Sequence, residues 1–225
     1  MNRLLEEWLA LLFPQRNICH GCGTPLVQEE GLLCVLCQQK LNDYAFTHGR
    51  AETVIDAEID CAASAFRYQG TAAQLVKTLK FRADQSAAAP LAEGMAQTYA
   101  NLSELHTVEF CVAVPVHYKR LRRRGYNQAE VLTTAFSELV GVPVAPEALV
   151  RLHHKRSQVG QGRTARMGNV AGAFAVSTAG RAMVRGHRVL LIDDVLTTGS
   201  TAIECAGALR KAGAESVSLL TACRV

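Results

Sequence analysis

VLLIDDVLTTGST, residues 189–201, sets two acidic side chains, Asp193 and Asp194, between an apolar run and a string of hydroxyls. RVLLI (188–192) reads as a β-strand, and STAIECAGALRKAG (200–213) as a helix that Gly213 stops. The turn between them is suited to phosphate. Backbone N–H groups of Thr198, Gly199, Ser200 and Thr201 converge at a helix N-terminus, whose orphan donors and partial positive charge favour a phosphomonoester. The hydroxyls of Thr197, Thr198 and Thr201 add donors, and Gly199 admits close approach. Two carboxylates beside an anion site would repel a phosphate they touched, so they should face donors or positive charge. A ribose with bound Mg²⁺ meets both needs. An acidic strand end capping an ordinary helix would account for one Asp and one Thr, and leaves the rest of the string unexplained.

Outward from this stretch the chain alternates between strand and helix patterns. A strand is expected over 62–68, a helix over 71–81 with Leu75 and Leu79 in register, and another helix over 86–102. FCVAVPV (110–116) reads as a strand ending in a basic loop. A helix then runs from Gln128 to about Val140, with Asn127 as its cap and Glu130 three residues on. ALVRLHH (148–154) reads as a strand, residues 155–172 as a polar segment rich in Gly and Arg, and SVSLLTA (216–222) as the closing strand. Strands separated by helices imply an α/β fold with a parallel sheet and ligands at the strand carboxyl ends.

The N-terminal part differs. CHGC and CVLC place Cys19, Cys22, Cys34 and Cys37 as two C-x-x-C pairs eleven residues apart, and Gly21 and Gly23 let the backbone fold over a metal. Four thiolates imply tetrahedral Zn²⁺ with no open position, so this metal folds the first ~40 residues rather than doing chemistry. Two disulfides or a thioredoxin-type redox pair are the alternatives, and neither suits two such pairs in a reducing compartment. His20 reads as a solvated turn residue. Residues 1–13, with Leu4, Leu5, Trp8, Leu9 and Leu12 at helical spacing, read as a short amphipathic helix. The expected division is an N-terminal helix and zinc ribbon over 1–41, a connection over 42–60, and the α/β domain over 61–225.

Four apolar residues, two acids, an apolar residue and then T-T-G-x-T resemble the phosphoribosyl-pyrophosphate (PRPP) motif of type I phosphoribosyltransferases. That resemblance implies that Asp193 and Asp194 contact the ribose hydroxyls, and that Thr197, Thr198, Gly199, Ser200 and Thr201 hold the 5′-phosphate. Other phosphate motifs fit less well. No Walker A sequence exists, and GQGRTA (160–165) follows polar HHKRSQ rather than a strand. PRPP also carries a pyrophosphate, for which two basic segments are available. One is PVHYKRLRRRGYNQAE from Pro115, with His117, Lys119, Arg120, Arg122, Arg123 and Arg124; the other is QVGQGRTARMGNVAGAF (158–174), with Arg163 and Arg166. Breaking the C1′–pyrophosphate bond calls for positive charge on the leaving group, from Mg²⁺ and arginines. Glycines 160, 162, 168 and 172 would let the second segment move as a lid carrying Arg163 and Arg166 as catalytic residues. The first cluster reads equally as a patch facing nucleic acid, since five cations exceed what one pyrophosphate uses.

A four-cysteine module, LKFRAD (79–84), VPVHYKRLRRRGYNQAE, the glycine-rich segment and DDVLTTGST together resemble the ComF family, also called GntX or competence protein F, over nearly the whole chain. This resemblance implies a type I phosphoribosyltransferase fold with a zinc finger. It also implies a role, on the cytoplasmic side, in natural competence or in use of external DNA, with single-stranded DNA and the uptake machinery as partners. Two function classes follow: an enzyme that transfers phosphoribosyl to an acceptor, and an accessory protein that senses PRPP and grips single-stranded DNA without transferase activity. At 225 residues and 49% apolar content the chain can bury a sizeable core. No apolar run reaches the ~20 residues of a membrane helix. Cys61, Cys111, Cys205 and Cys223 lie singly among apolar residues and read as reduced buried thiols. A net charge of +4 favours an anionic partner and is too modest to require DNA.

Overall fold

The computed structural model describes residues 18–26, 31–47, 49–54, 56–82, 84–152 and 172–225. The expected helix over 1–13 and the glycine-rich segment with Arg163 and Arg166 lie outside the described residues. The elements run α1 (Val35–Asp43), β1 (Cys61–Arg67), α2 (Gly70–Phe81), α3 (Ala88–Asn101), β2 (Phe110–Ala113), α4 (Tyr118–Arg124) and α5 (Gln128–Val140). They continue as β3 (Leu149–Arg151), β4 (Phe174–Val176), α6 (Thr178–Val184), β5 (Arg188–Leu196), α7 (Ser200–Lys211) and β6 (Ser216–Arg224). A four-stranded parallel sheet has the order β1-β6-β5-β2, in register Cys61↔Ser218, Val189↔Val217 and Phe110↔Val189.

Side chains alternate across a strand, and β5 shows how this sheet uses both faces. Leu190 and Ile192 join the core built on Leu75, Leu79, Leu91, Met95 and Phe136, from α2, α3 and α5. Val189 and Leu191 join the opposite core with Cys205, Ala206 and Leu209 of α7. All four β5 residues are fully buried, so truncating any one to Ala would cost about 1–5 kcal/mol. Cys61, Cys111, Cys205 and Cys223 are buried and unpaired with any other cysteine.

Several elements depart from the sequence reading. The strand expected over 110–116 ends at Ala113, although Val114 N–H still donates to Ile192 O (2.9 Å), because Pro115 has no N–H with which to continue the ladder. The basic loop after it is a helix, α4. His117 Nδ1 accepts the Lys119 N–H (3.2 Å) at its start, and Gly125, at φ +83°, ends it. The strand expected over 148–154 is shorter and outside the parallel sheet: β3 pairs antiparallel with β4, which the pattern did not reveal. Helix α6 was likewise unforeseen, and is capped by Ser177 accepting the Gly180 N–H (2.9 Å). Asn127 caps α5 as expected, accepting from Ala129 N–H (3.1 Å) while its amide donates to Val114 O and Glu130. Within the expected connection, Ala45 bridges Phe66 and Arg50 bridges Ala63 of β1, and Ala51, Val54 and Ile59 are buried. Among the described residues no helix is long and apolar enough to cross a membrane.

Candidate functional site

β5 runs on through the two acids to Leu196, because β6 keeps pairing beside it, with Asp193 opposite Thr221 and Val195 opposite Cys223. Strand alternation therefore separates the acids. Asp194 turns toward α2, where Lys80 Nζ stands 2.7 Å from its Oδ2. That oxygen is buried and receives no well-aligned hydrogen bond. Asp193 is half-buried and accepts the Asp194 N–H on Oδ1 (2.8 Å). Burial first, and the neighbouring Asp194 charge second, push the Asp193 carboxyl up to about 8. Both acids open into one cavity of about 320 Å³ at the carboxyl end of the sheet, with Lys80, His117, Arg120 and Arg151 also on its walls.

The hydroxyl string forms the adjoining wall. Gly199, at φ +78°, caps α7, and a Cβ there would lie 2.3 Å from Val54 Cγ1, so the chain can turn here only with glycine. Thr197, Gly199, Ser200 and Thr201 line a small cavity of about 40 Å³ beside Asp193. This exceeds the roughly 10–15 Å³ that one water needs. Thr198 hydrogen-bonds Ser200 Oγ (3.1 Å) and does not line that cavity.

The structure divides the basic cluster of 117–124. His117 and Arg120 line the cavity with the acids. Arg123 and Arg124 line a second cavity of about 280 Å³, together with Lys80, Phe81 and Tyr126. Lys119 and Arg122 are exposed and line neither. Three residues that sequence reasoning missed belong to the first cavity: Tyr68, Lys80 and Arg151. Lys80 lies in the quoted LKFRAD and Arg151 in the expected strand ALVRLHH, where a charge inside an apolar run was the available signal.

The four cysteines form a second centre. The sulfurs of Cys19, Cys22, Cys34 and Cys37 all lie within 4.8 Å of one another, and Cys22 and Cys34 are 3.8 Å apart. A tetrahedron with Zn–S bonds of about 2.3 Å has edges of about 3.8 Å, so the set fits Zn²⁺. A Cβ at Gly21 would stand 2.7 Å from Cys37 Sγ, which shows how closely the knuckle backbone approaches the sulfurs. Thr24 hydrogen-bonds the exposed Cys22 thiol (3.1 Å) and brings it down to about 6, whereas burial pushes Cys37 up to about 12. His20 is not solvated. It meets Leu32 O through Nδ1 (3.1 Å), and through Nε2 it meets Asp84 Oδ2 (2.7 Å) and Ser86 Oγ (3.1 Å). Cys19, Leu33, Cys37 and Leu41 share one core with Leu75 and Leu79 of α2.

Residues 88–225 match the phosphoribosyl transferase domain family. Competence protein F of Haemophilus influenzae is 34% identical over 116 residues, 52% of this chain and 50% of that protein. The chain thus spans half the length of that relative. DNA utilization protein YhgH of Salmonella typhimurium is 28% identical over 211 residues, 92% of this chain and 84% of that protein. Among solved structures, the glutamine PRPP amidotransferase of B. subtilis, complexed with ADP and GMP, is 20% identical with a TM-score of 0.41, covering 61% of this chain and 26% of that one.

Proposed function

The chain belongs to the phosphoribosyl transferase domain family and, within it, to the ComF family, and from that premise we propose that it binds PRPP with Mg²⁺ and serves DNA uptake or the use of external DNA. One observation carries the ligand reading: both acids, the hydroxyl turn and four cationic or imidazole side chains converge on the carboxyl end of a parallel sheet. Asp193 and Asp194 accept hydrogen bonds from the ribose hydroxyls. The N–H groups and hydroxyls of residues 197–201 hold the 5′-phosphate. His117, Arg120 and Arg151 face the pyrophosphate, with Arg163 and Arg166 assigned to the same charge. Bound with the ligand, Mg²⁺ supplies further positive charge against the leaving pyrophosphate. The two carboxylates on one cavity wall supply the hard oxygen donors that a divalent cation takes.

The four cysteines hold a structural Zn²⁺ within a module over 1–41, joined by a connection over 42–60 to the α/β domain over 61–225. The protein acts in the cytoplasm. Calorimetric titration with PRPP and Mg²⁺ tests the site, followed by pyrophosphate release over nucleobases and DNA oligomers. Asp193→Asn with Asp194→Asn should weaken PRPP binding at least ~10-fold, about 1.4 kcal/mol. Unchanged affinity in that double variant would remove the acids from the site. Binding with no release over any acceptor would leave a PRPP-responsive protein and reject the transferase.

A further inference from the structure

Lys80 is a wall shared by two cavities, and only one of them has acids. The second is enclosed by the end of α2 and by the turn from α4 into α5: Lys80, Phe81, Arg123, Arg124 and Tyr126. Three cations gather there, and among the described residues no carboxylate pairs with Arg123 or Arg124. The charge of Lys80 is met by Asp194 on the first cavity's side. Arg124 Nη1 donates to Gln128 Oε1 (2.7 Å), but its buried Nε has no acceptor. Burial accordingly lowers the Arg124 pKa, opposed by the Asp194 charge.

The same walls carry two rings. Phe81 ends α2 with 67% of its surface exposed, and the Arg124 guanidinium stands 5.4 Å from its ring centroid. Tyr126 Oη donates to Leu79 O, tying the turn to the end of α2, so the walls are held before any ligand arrives. At about 280 Å³ the space is close to the lower bound of small-ligand pockets, roughly 300 Å³.

Cations without acids call for an anion, and an exposed ring beside them calls for a planar group to stack on it. We propose that the second cavity binds one nucleotide unit, its base on Phe81 and its phosphate on Arg123 and Arg124. This assignment is independent of PRPP binding in the first cavity. A free nucleotide and a nucleotide within a strand offer the same chemistry, and the probes tell them apart.

Adenosine 5′-monophosphate is titrated calorimetrically into the full chain, with adenosine, inorganic phosphate and a ten-residue deoxyadenosine oligomer in parallel. The monophosphate should saturate, and should bind at least ~10-fold tighter than adenosine or phosphate alone. Phe81→Ala with Arg123→Ala should abolish that binding while leaving the thermal midpoint and PRPP affinity in place, since both side chains are exposed. Phe81→Trp should retain it, with the new indole fluorescence quenched on saturation. Tighter binding of the oligomer than of the monophosphate, lost in the same double variant, identifies the source as a strand; equal or weaker binding identifies a free nucleotide. No saturation by either nucleotide probe below about 1 mM, or equal binding by wild type and the Phe81/Arg123 variant, would overturn the assignment. Loss in Asp193→Asn with Asp194→Asn alone would place the nucleotide in the first cavity and overturn it equally.

Discussion

The four-cysteine cluster and the strand-end cavity are assembled in opposite ways. All four sulfurs come from a stretch of nineteen residues, Cys19 to Cys37, and converge within 4.8 Å. The cavity draws on the ends of β1, α2, β2, β3 and β5 and on the turn into α7, and is joined only when the sheet closes. The cysteine cluster can form from local turns; the cavity needs the whole fold. The two are also joined, because Cys37 and Leu41 pack in the core of α2, whose last turn carries Lys80 to Asp194. A locally specified centre thus supports one wall of a globally specified one.

The largest effect should come from the cysteine cluster. A structural four-thiolate Zn²⁺ contributes on the order of 10 kcal/mol of metal-linked folding free energy. Cys19→Ser with Cys34→Ser should therefore abolish the one metal equivalent per chain and sharply lower the thermal midpoint. Metal analysis of protein purified without added zinc, alongside thermal unfolding, measures both. A full equivalent retained in the double variant would rule out the four-thiolate site. If the midpoint falls but the wild-type protein carries under half an equivalent, the cysteines stabilise by packing alone.

This contrast also explains what could be read from the sequence. The cysteine cluster was legible because its four residues lie close together in the sequence and Gly21 and Gly23 mark a turn. The acids and the 197–201 turn were legible for the same reason. Lys80 was not, because a lysine in the last turn of a helix is ordinary, and its approach to Asp194 exists only once α2 packs on the sheet. Arg151 was missed with it, since β3 pairs with β4 rather than with the parallel strands. Helix α4 looked like a loop because its charge masks any apolar face, although Gly125 was a readable stop. His20 looked solvated because its partners Asp84 and Ser86 are far away in the chain.

An intermediate effect should follow from breaking the link between the two regions. Asp194 is nearly buried, with Lys80 2.7 Å away as its counter-charge. Lys80→Met leaves a buried carboxylate without that partner, which costs about 3–5 kcal/mol when a buried pair loses one member. Lys80→Met combined with Asp194→Asn should recover most of that loss, because no net charge is then stranded. Chemical denaturation of both variants checks this. Equal stability of Lys80→Met and wild type would show that the ion pair contributes nothing, and would loosen the proposed tie between α2 and the site.

The smallest effect is a pH dependence confined to the cavity. Asp193 has a folded pKa of about 8 against an ordinary 3.8, raised by burial and by Asp194, and opposed by Lys80. Cys205, behind it on α7, is itself pushed well above the usual thiol range and remains neutral throughout. Between about pH 4 and 8 the folded chain holds a proton at Asp193 that the unfolded chain has released. The stability this contributes is complete below pH 4 and is lost as pH rises through 8. One such proton gives a slope of at most about −1.4 kcal/mol per pH unit, and the half-exposed position of Asp193 reduces it. Denaturation midpoints measured from pH 5 to 8 should therefore fall less steeply in Asp193→Asn than in wild type. The Lys80→Met background should steepen the change near pH 8, since it removes a cation that favours the ionised Asp193. Parallel pH profiles for Asp193→Asn and wild type would mean that the carboxyl is ionised across this range, accessible to a divalent cation without first losing a proton.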